Sequence, residues 1–219
     1  MPLSNENVPV ITLDGPSGSG KGTIATLLAQ QLGWRVLDSG AIYRSLAWLA
    51  LQKQQAEAPF LVELARQMSL VMEHDQVVVN GVTVTTAIRT PEVTAFSSKI
   101  AALAEVREAL IPLQRAQRKL PGLIADGRDM GTVIFSDATL KIFLTASEDE
   151  RVQRRYQQIR EVSGLSYEEV KAELLKRDQR DAERSASPLK AAPDAFIIDT
   201  TEMTPDLVCR EILQHLKEK

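Results

Sequence analysis

The apolar residues of this chain fall into short unbroken runs set between longer stretches of helical spacing. Val8-Pro9-Val10-Ile11-Thr12-Leu13, Trp34-Arg35-Val36-Leu37, Leu123-Ile124-Ala125-Asp126, Lys141-Ile142-Phe143-Leu144-Thr145-Ala146 and Phe196-Ile197-Ile198-Asp199 read as five buried strands. All lie between helical segments, so right-handed crossovers and a parallel sheet covered by helices on both faces are expected. The period shifts in one place. Ser69-Leu70-Val71-Met72-Glu73, Gln76-Val77-Val78-Val79 and Val82-Thr83-Val84-Thr85 follow a strand period, and Asn80-Gly81 between the last two is a strong hairpin signal. A small antiparallel sheet of two or three strands is therefore expected as an insertion, too small to fold alone.

The helices are marked by their ends. Ile24 to Leu32 stops at Gly33, and Ser39 is expected to cap a helix carrying Ile42, Leu46 and Leu49. Gln52 to Gln67 is weakly helical, with Pro59 breaking the pattern. Thr90-Pro91-Glu92 reads as an N-cap with proline at the first helical position. That helix passes Ser98. A further one from about Ala104 carries Arg107, Arg115, Arg118 and Lys119 up to Pro121-Gly122, with Pro112 expected to kink it or mark a boundary. The arginine-rich segment Glu148 to Arg184 is helical, and Ser163-Gly164 interrupts it as a hinge would. One α/β domain is expected: a core over about 8–60, 120–147 and 190–219, an insertion over about 61–119 and a helical lid over about 148–185.

Between the first strand and first helix stands Gly15-Pro16-Ser17-Gly18-Ser19-Gly20-Lys21-Gly22-Thr23. Its glycines permit positive φ and remove side chains that would hold an anion away from the backbone. Backbone amides and the helix N-terminus then converge on a phosphate, with Lys21 as a mobile charge. Gly22 stands where the general motif has the metal-reaching hydroxyl, and Thr23 comes one place later. This Gly-Lys-Gly-Thr ending resembles the nucleoside monophosphate kinases.

Composition narrows the partners. The chain has 219 residues, 44% hydrophobic, enough for one substantial core, and its net charge of −3 argues against general nucleic-acid binding. Cys209 is the single cysteine and is expected to be core-facing and inert, in keeping with a reducing compartment. Met1 to Asn7 lacks an apolar signal core, and no apolar run approaches membrane-spanning length. A cytoplasmic monomer with no membrane partner is expected.

Candidate chemistry lies at the carboxyl ends of the strands, where open α/β sheets bind ligands. Ser39, Tyr43 and Arg44 follow the second strand. Alone they would fit a cap, a half-buried tyrosine and a solvated arginine; next to a phosphate loop they are candidates for holding a second substrate. Gly127-Arg128-Asp129 follows the third strand. Arg177, Asp181 and Arg184 lie along one side of a helix, an acceptor between two cations. A phosphate loop with dispersed arginines suits phosphoryl transfer, in which positioning and cationic stabilisation supply most of the rate.

These segments resemble one family across nearly the whole chain. The loop, Leu37-Asp38-Ser39-Gly40-Ala41-Ile42-Tyr43-Arg44, Arg89-Thr90-Pro91-Glu92-Val93, Leu123 to Thr132 and Arg177-Asp178-Gln179-Arg180-Asp181 are similar to the bacterial-type cytidylate kinases. The resemblance implies a P-loop NTPase-type α/β fold with an NMP-binding insertion, and transfer of the γ-phosphoryl group of ATP, with Mg2+, to CMP or dCMP. It implies that Ser98, Arg107 and Asp129 face the base, that Arg177 and Asp181 hold the ribose, and that Arg44, Arg128 and Arg184, with Ser39 and Tyr43, hold the acceptor phosphate. Lys21, Arg128, Arg155 and Arg184 would be catalytic; separately from the resemblance, Thr23 and Asp126 are candidates for reaching the metal through water.

The base assignment also has a physical rationale. Aspartate is the natural acceptor for the cytosine amino group. Uracil would set a carbonyl against it, at a cost of a few kcal/mol. Rival readings are a kinase of another small acceptor, such as a UMP/CMP or shikimate-type enzyme, a nucleotide switch, and a nucleic-acid-processing ATPase. The switch lacks a guanine-reading Asn-Lys-x-Asp element, and the acidic balance disfavours the ATPase.

Overall fold

The computed structural model describes residues 8–73 and 76–218. The Met1 to Asn7 segment considered above therefore lies outside the described residues. Two compact units are present: one combines the chain up to Leu37 with Gln117 onward, and the other runs Asp38–Ala116.

The first unit is built on five parallel strands. These are β1 (Val10–Asp14), β2 (Arg35–Asp38), whose last residue begins the other unit, and β6 (Leu123–Gly127), β7 (Leu140–Thr145) and β8 (Phe196–Asp199), in the order β2-β6-β1-β7-β8. The first strand thus lies at the centre of the sheet. β1 pairs with β6 through Leu13↔Asp126 and with β7 through Leu13↔Ile142, and all five of its residues are buried. α1 (Lys21–Leu32) and α8 (Pro205–Lys217) cover the sheet through Ile24, Leu28, Val208 and Ile212, packed with Ile11, Leu13, Ile142 and Ile198. Each such fully buried branched side chain contributes ~2 kcal/mol relative to exposure. Cys209 is buried in this cluster, and desolvation raises its thiol pKa. α6 (Glu148–Ser163) and α7 (Tyr167–Glu183) pack on each other, joined at Gly164, whose φ of 66° is left-handed. Ser166 and Glu169 form a reciprocal capping box at the start of α7.

The second unit contains α2 (Ser39–Gln52), α3 (Ala58–Gln67), α4 (Pro91–Ile100) and α5 (Ala104–Arg115). It also holds an antiparallel sheet β3-β4-β5, made of Leu70–Glu73, Gln76–Val79 and Val82–Thr83. The Asn80-Gly81 turn has φ of 49° and 82°, the two positive angles a tight hairpin demands. The unit begins at Asp38, earlier than the boundary near residue 61 that the sequence pattern suggests, because α2 packs against α3 and α4.

Local expectations fail in four places. Asp38, not Ser39, caps α2: its Oδ1 accepts from Ala41 N at 3.0 Å, while Ser39 is the first helical residue. Pro59 opens α3, its missing N–H falling in the first turn, where it is not needed. α5 ends at Arg115, leaving Arg118 and Lys119 beyond it; Arg118 Nε donates to Val8 O at 2.8 Å and Nη1 to Asp137 Oδ2 at 2.6 Å. Gly22 lies within α1 and is not among the positive-φ glycines. Pro112 sits in the last turn of α5, which continues through it. Among the described residues, no helix is long and apolar enough to cross a membrane.

Candidate active site

The loop between β1 and α1 is wound tightly. Gly18 and Gly20 have φ of 79° and 88°, and a Cβ at Gly18 would lie 2.5 Å from the Arg151 carbonyl oxygen, so neither position accepts a side chain without strain. Ser19 is fully buried, its Oγ donating to Pro16 O at 3.0 Å. Lys21 turns its ammonium into the loop, donating to Pro16 O at 2.6 Å and Ser19 Oγ at 3.2 Å. Burial, with Arg128 and Arg177 nearby, lowers its pKa to about 7, against the opposing pull of Asp126 and Asp14. An arriving polyphosphate would restore the full charge on this amine. Thr23 is exposed in the first turn of α1, and a Cβ on Gly22 would sit 3.6 Å from Asp126 Oδ2.

β6 delivers Arg128 and Asp129 beside that loop. Arg128 Nη2 donates to Ser17 Oγ at 2.9 Å, Nη1 to Gly127 O at 3.0 Å and Nε to Asp181 Oδ2 at 3.0 Å. Asp129 is only 3% exposed and precedes a single wide turn, Met130–Ile134. Asp14, at the end of β1, holds that turn by accepting from Met130 N and Gly131 N, both at 2.8 Å. Burial raises the Asp14 pKa to about 6, aided by the charge of Asp129 and opposed by the two amides and Lys21.

The helical row is assembled as its spacing suggests. Asp181 is 8% exposed; burial disfavours its charge, but Arg128, Arg177 and Arg184 together bring its pKa below the ordinary aspartate value. Arg184 caps α7, with Nη1 3.8 Å from Asp181 Oδ1 and Nε donating to Ser187 O at 2.5 Å. Arg155 is half-buried on α6. Its neighbour Arg154, passed over in the sequence, donates to Thr200 Oγ1 and Thr200 O at 2.9 and 2.7 Å. Thr200 Oγ1 in turn donates to Ser19 O at 3.2 Å, so this pair steadies the phosphate loop from β8.

The remaining candidates are grouped in the second unit. Arg44 Nη2 donates to Asp38 Oδ2 at 2.7 Å, a partly exposed pair. Burial raises the Asp38 pKa, but Arg44, the Ala41 amide and Arg89 outweigh it and lower the value overall. Gly40 leaves room for this fold-back, since a Cβ there would lie 2.8 Å from Arg44 Nη1. Ser39, Tyr43 and Ser98 are buried. The Arg107 guanidinium stands 5.6 Å from the centre of the Tyr43 ring and donates to Ala101 O at 3.0 Å.

Asp14, Asp38 and Arg154 are thus missed by sequence reasoning. Asp14 directly precedes the Gly15 loop and Asp38 lies inside the Leu37 to Arg44 segment, but a carboxylate at a strand end has no signature until its amide partners are in place. Among the described residues, no group of three or more acidic, histidine or cysteine side chains is arranged to hold a metal ion.

Comparison with known proteins adds a separate line. The family profile described as cytidylate kinase matches residues 11–218. Curated relatives named cytidylate kinase include one from Aeromonas salmonicida, 50% identical over 96% of this chain and 95% of its own. Another, from Shewanella frigidimarina, is 49% identical over 98% of both chains. A solved structure of an uncharacterised protein from Eubacterium ventriosum has a TM-score of 0.50 and 13% identity over 96% of this chain and 99% of its own, a likeness of fold.

Proposed function

The chain belongs to the cytidylate kinase family, and from that premise we propose that it transfers the γ-phosphoryl group of ATP to CMP or dCMP, giving ADP and CDP or dCDP. The observation that carries this reading is Arg128, bonded at once to Ser17 of the phosphate loop and to Asp181 of α7, with buried Asp129 next in the chain. One side chain thus ties a triphosphate grip to an acceptor grip.

In this reading Gly15 to Thr23 cradle the β- and γ-phosphates, and Lys21 exchanges Pro16 O for phosphate oxygens. Arg128 and Arg184, with Arg44, Ser39 and Tyr43, hold the acceptor phosphate. Asp129 accepts from the cytosine amino group, with Ser98 and Arg107 completing the base contacts, while Arg177 and Asp181 hold the ribose hydroxyls. An oxygen of the acceptor phosphate attacks the γ-phosphorus in line, the bond to the β–γ bridging oxygen breaks, and ADP leaves. The acceptor phosphate is already ionised, so no general base is required. Lys21, Arg128, Arg155 and Arg184 stabilise the charge spread over the transferred group. Closure of the α6–α7 lid about Gly164 would exclude water and suppress hydrolysis.

The hard oxygen donors Asp126 and Thr23, the former 3.6 Å from where a Cβ on Gly22 would stand, suit a magnesium ion held through its waters. When bound it would neutralise charge on the β- and γ-oxygens, with Asp126 and Thr23 reaching it through water. A monomer working in the cytoplasm is part of this reading. A coupled assay with CMP, dCMP, UMP and AMP tests the assignment. Turnover of CMP and dCMP, weak use of UMP and none of AMP are expected; failure of all four acceptors would remove the kinase reading.

A further inference from the structure

Asp178 lies inside the charged α7 motif, yet the contacts described so far leave it without a task. Its carboxylate reaches the phosphate loop: Oδ1 accepts from Ser17 N at 3.3 Å, and Oδ2 accepts from Arg151 Nη1 on α6. The same Arg151 Nη1 donates to Ser17 O at 3.1 Å, and Arg151 Nε is fixed on Ala146 O at 3.2 Å. The N–H and C=O of Ser17 are therefore both held by this pair, while its Oγ accepts from Arg128. Asp178 and Arg151 are 17% and 11% exposed at their side chains, so solvent screens the arrangement weakly. The neighbouring Gly18 has no room for a Cβ against the Arg151 backbone, which brings the first turns of α6 directly onto the loop.

We propose that Asp178 and Arg151 form a strap that fixes the Ser17 peptide and thereby sets the donor geometry of the phosphate loop for the triphosphate, Asp178 acting as a positioning residue. A phosphate loop works only if its amides point at a common centre, and it begins from glycines with wide conformational freedom. Pinning one peptide at the loop's outer turn removes much of that freedom before ATP arrives. Such preorganisation appears as affinity. The carboxylate does not oppose an incoming phosphate, because Arg151 neutralises it. The strap also ties α7, which carries Arg177 and Asp181, to the loop. Its placement rests on the loop being the ATP site, and not on which nucleotide is the acceptor.

The experiment measures binding of a non-hydrolysable ATP analogue with magnesium by calorimetry, and the KM for ATP, in Asp178→Ala, Asp178→Asn and Arg151→Met. Asp178→Ala should weaken analogue binding and raise the KM for ATP about tenfold, with kcat reduced less than threefold. Asp178→Asn, which keeps an acceptor for Ser17 N, should recover part of the loss. The Asp178→Ala/Arg151→Met double variant should be no worse than its weaker parent, as expected for two members of one unit. Analogue affinity within twofold of wild type in Asp178→Ala overturns the proposal, whatever happens to its melting temperature, since a purely structural residue would lower stability and leave affinity alone. Calorimetry needs no acceptor, so failure of the CMP assignment would leave this result readable.

Discussion

Arg128 Nε and Asp181 Oδ2, 53 positions apart in sequence, lie 3.0 Å apart in a pair whose side chains are 16% and 11% exposed. Burial alone would favour a protonated Asp181, but the three arginines around it prevail and keep it ionised. Its folded-state pKa lies below the ordinary aspartate value. The stabilisation is therefore present above that value and disappears as pH falls through the folded-state pKa. Asp181→Asn should cost ~2 kcal/mol near neutrality, and thermal melts of both proteins should converge as pH drops below about 4. A gap independent of pH would mean that the charge on Asp181 contributes nothing.

Asp14 should show the opposite slope. Its pKa is raised to about 6, mainly by burial, so the protonated form favours folding below the usual carboxylate pKa of about 4, and this contribution is lost as pH rises through about 6. The change is ~3 kcal/mol across that window. Asp14→Asn should flatten the fall in melting temperature between pH 4 and 6, whatever its absolute stability; equal slopes in the two proteins would refute the assignment.

Asp129→Ala should abolish most CMP turnover while ATP still binds. The side chain is buried just beyond the end of β6, and none of the proposed contacts to ATP is assigned to it. Loss of CMP turnover by 100-fold or more corresponds to ~3 kcal/mol. CMP turnover equal to wild type would end its base-reading role.

Gly40→Ala tests the proposed acceptor grip separately from the fold. The new Cβ would lie 2.8 Å from Arg44 Nη1 and 3.0 Å from Asp38 Oδ1, and the first of these is the far end of a flexible side chain that can swing away. Position 40 is helical, where alanine is favoured over glycine by ~1 kcal/mol. Strain on Asp38 Oδ1, which caps α2 through Ala41 N, should offset that gain, so stability should change little while the KM for CMP increases several-fold and the KM for ATP stays constant. An unchanged KM for CMP would show that Arg44 does not depend on this opening.

Arg184→Met should lower turnover far more than folding stability. Arg184 Nη1 stands 3.8 Å from Asp181, whose charge Arg128 still neutralises at closer range. Steady-state kinetics beside a melting curve check this, and an unchanged rate would return Arg184 to an electrostatic background role.

Much of this protein can be read along the chain because the signals are local. The five apolar runs become five strands, since a strand buried on both faces needs little more than continuous β-branched and aliphatic residues. Asn80-Gly81 makes its hairpin, and Gly18 and Gly20 take the positive angles that few other residues tolerate. Thr90 caps α4 by accepting from Val93 N, as its Thr-Pro-Glu sequence suggests.

Tertiary structure decided which of several adjacent polar groups takes each task. Ser39 and Asp38 were both able to cap α2, and the choice fell to Asp38, whose carboxylate also meets Arg44. Arg154 and Arg155 look alike in sequence, but it is Arg154 that donates to Thr200 Oγ1 and O. Asp14 acquires its raised pKa only when packing desolvates it against the opposing pull of the Met130 and Gly131 amides, because burial is a property of packed neighbours and not of a residue's own type. Periodicity and glycine placement fix the course of the backbone; the partner and charge of each buried side chain depend on segments that folding brings together.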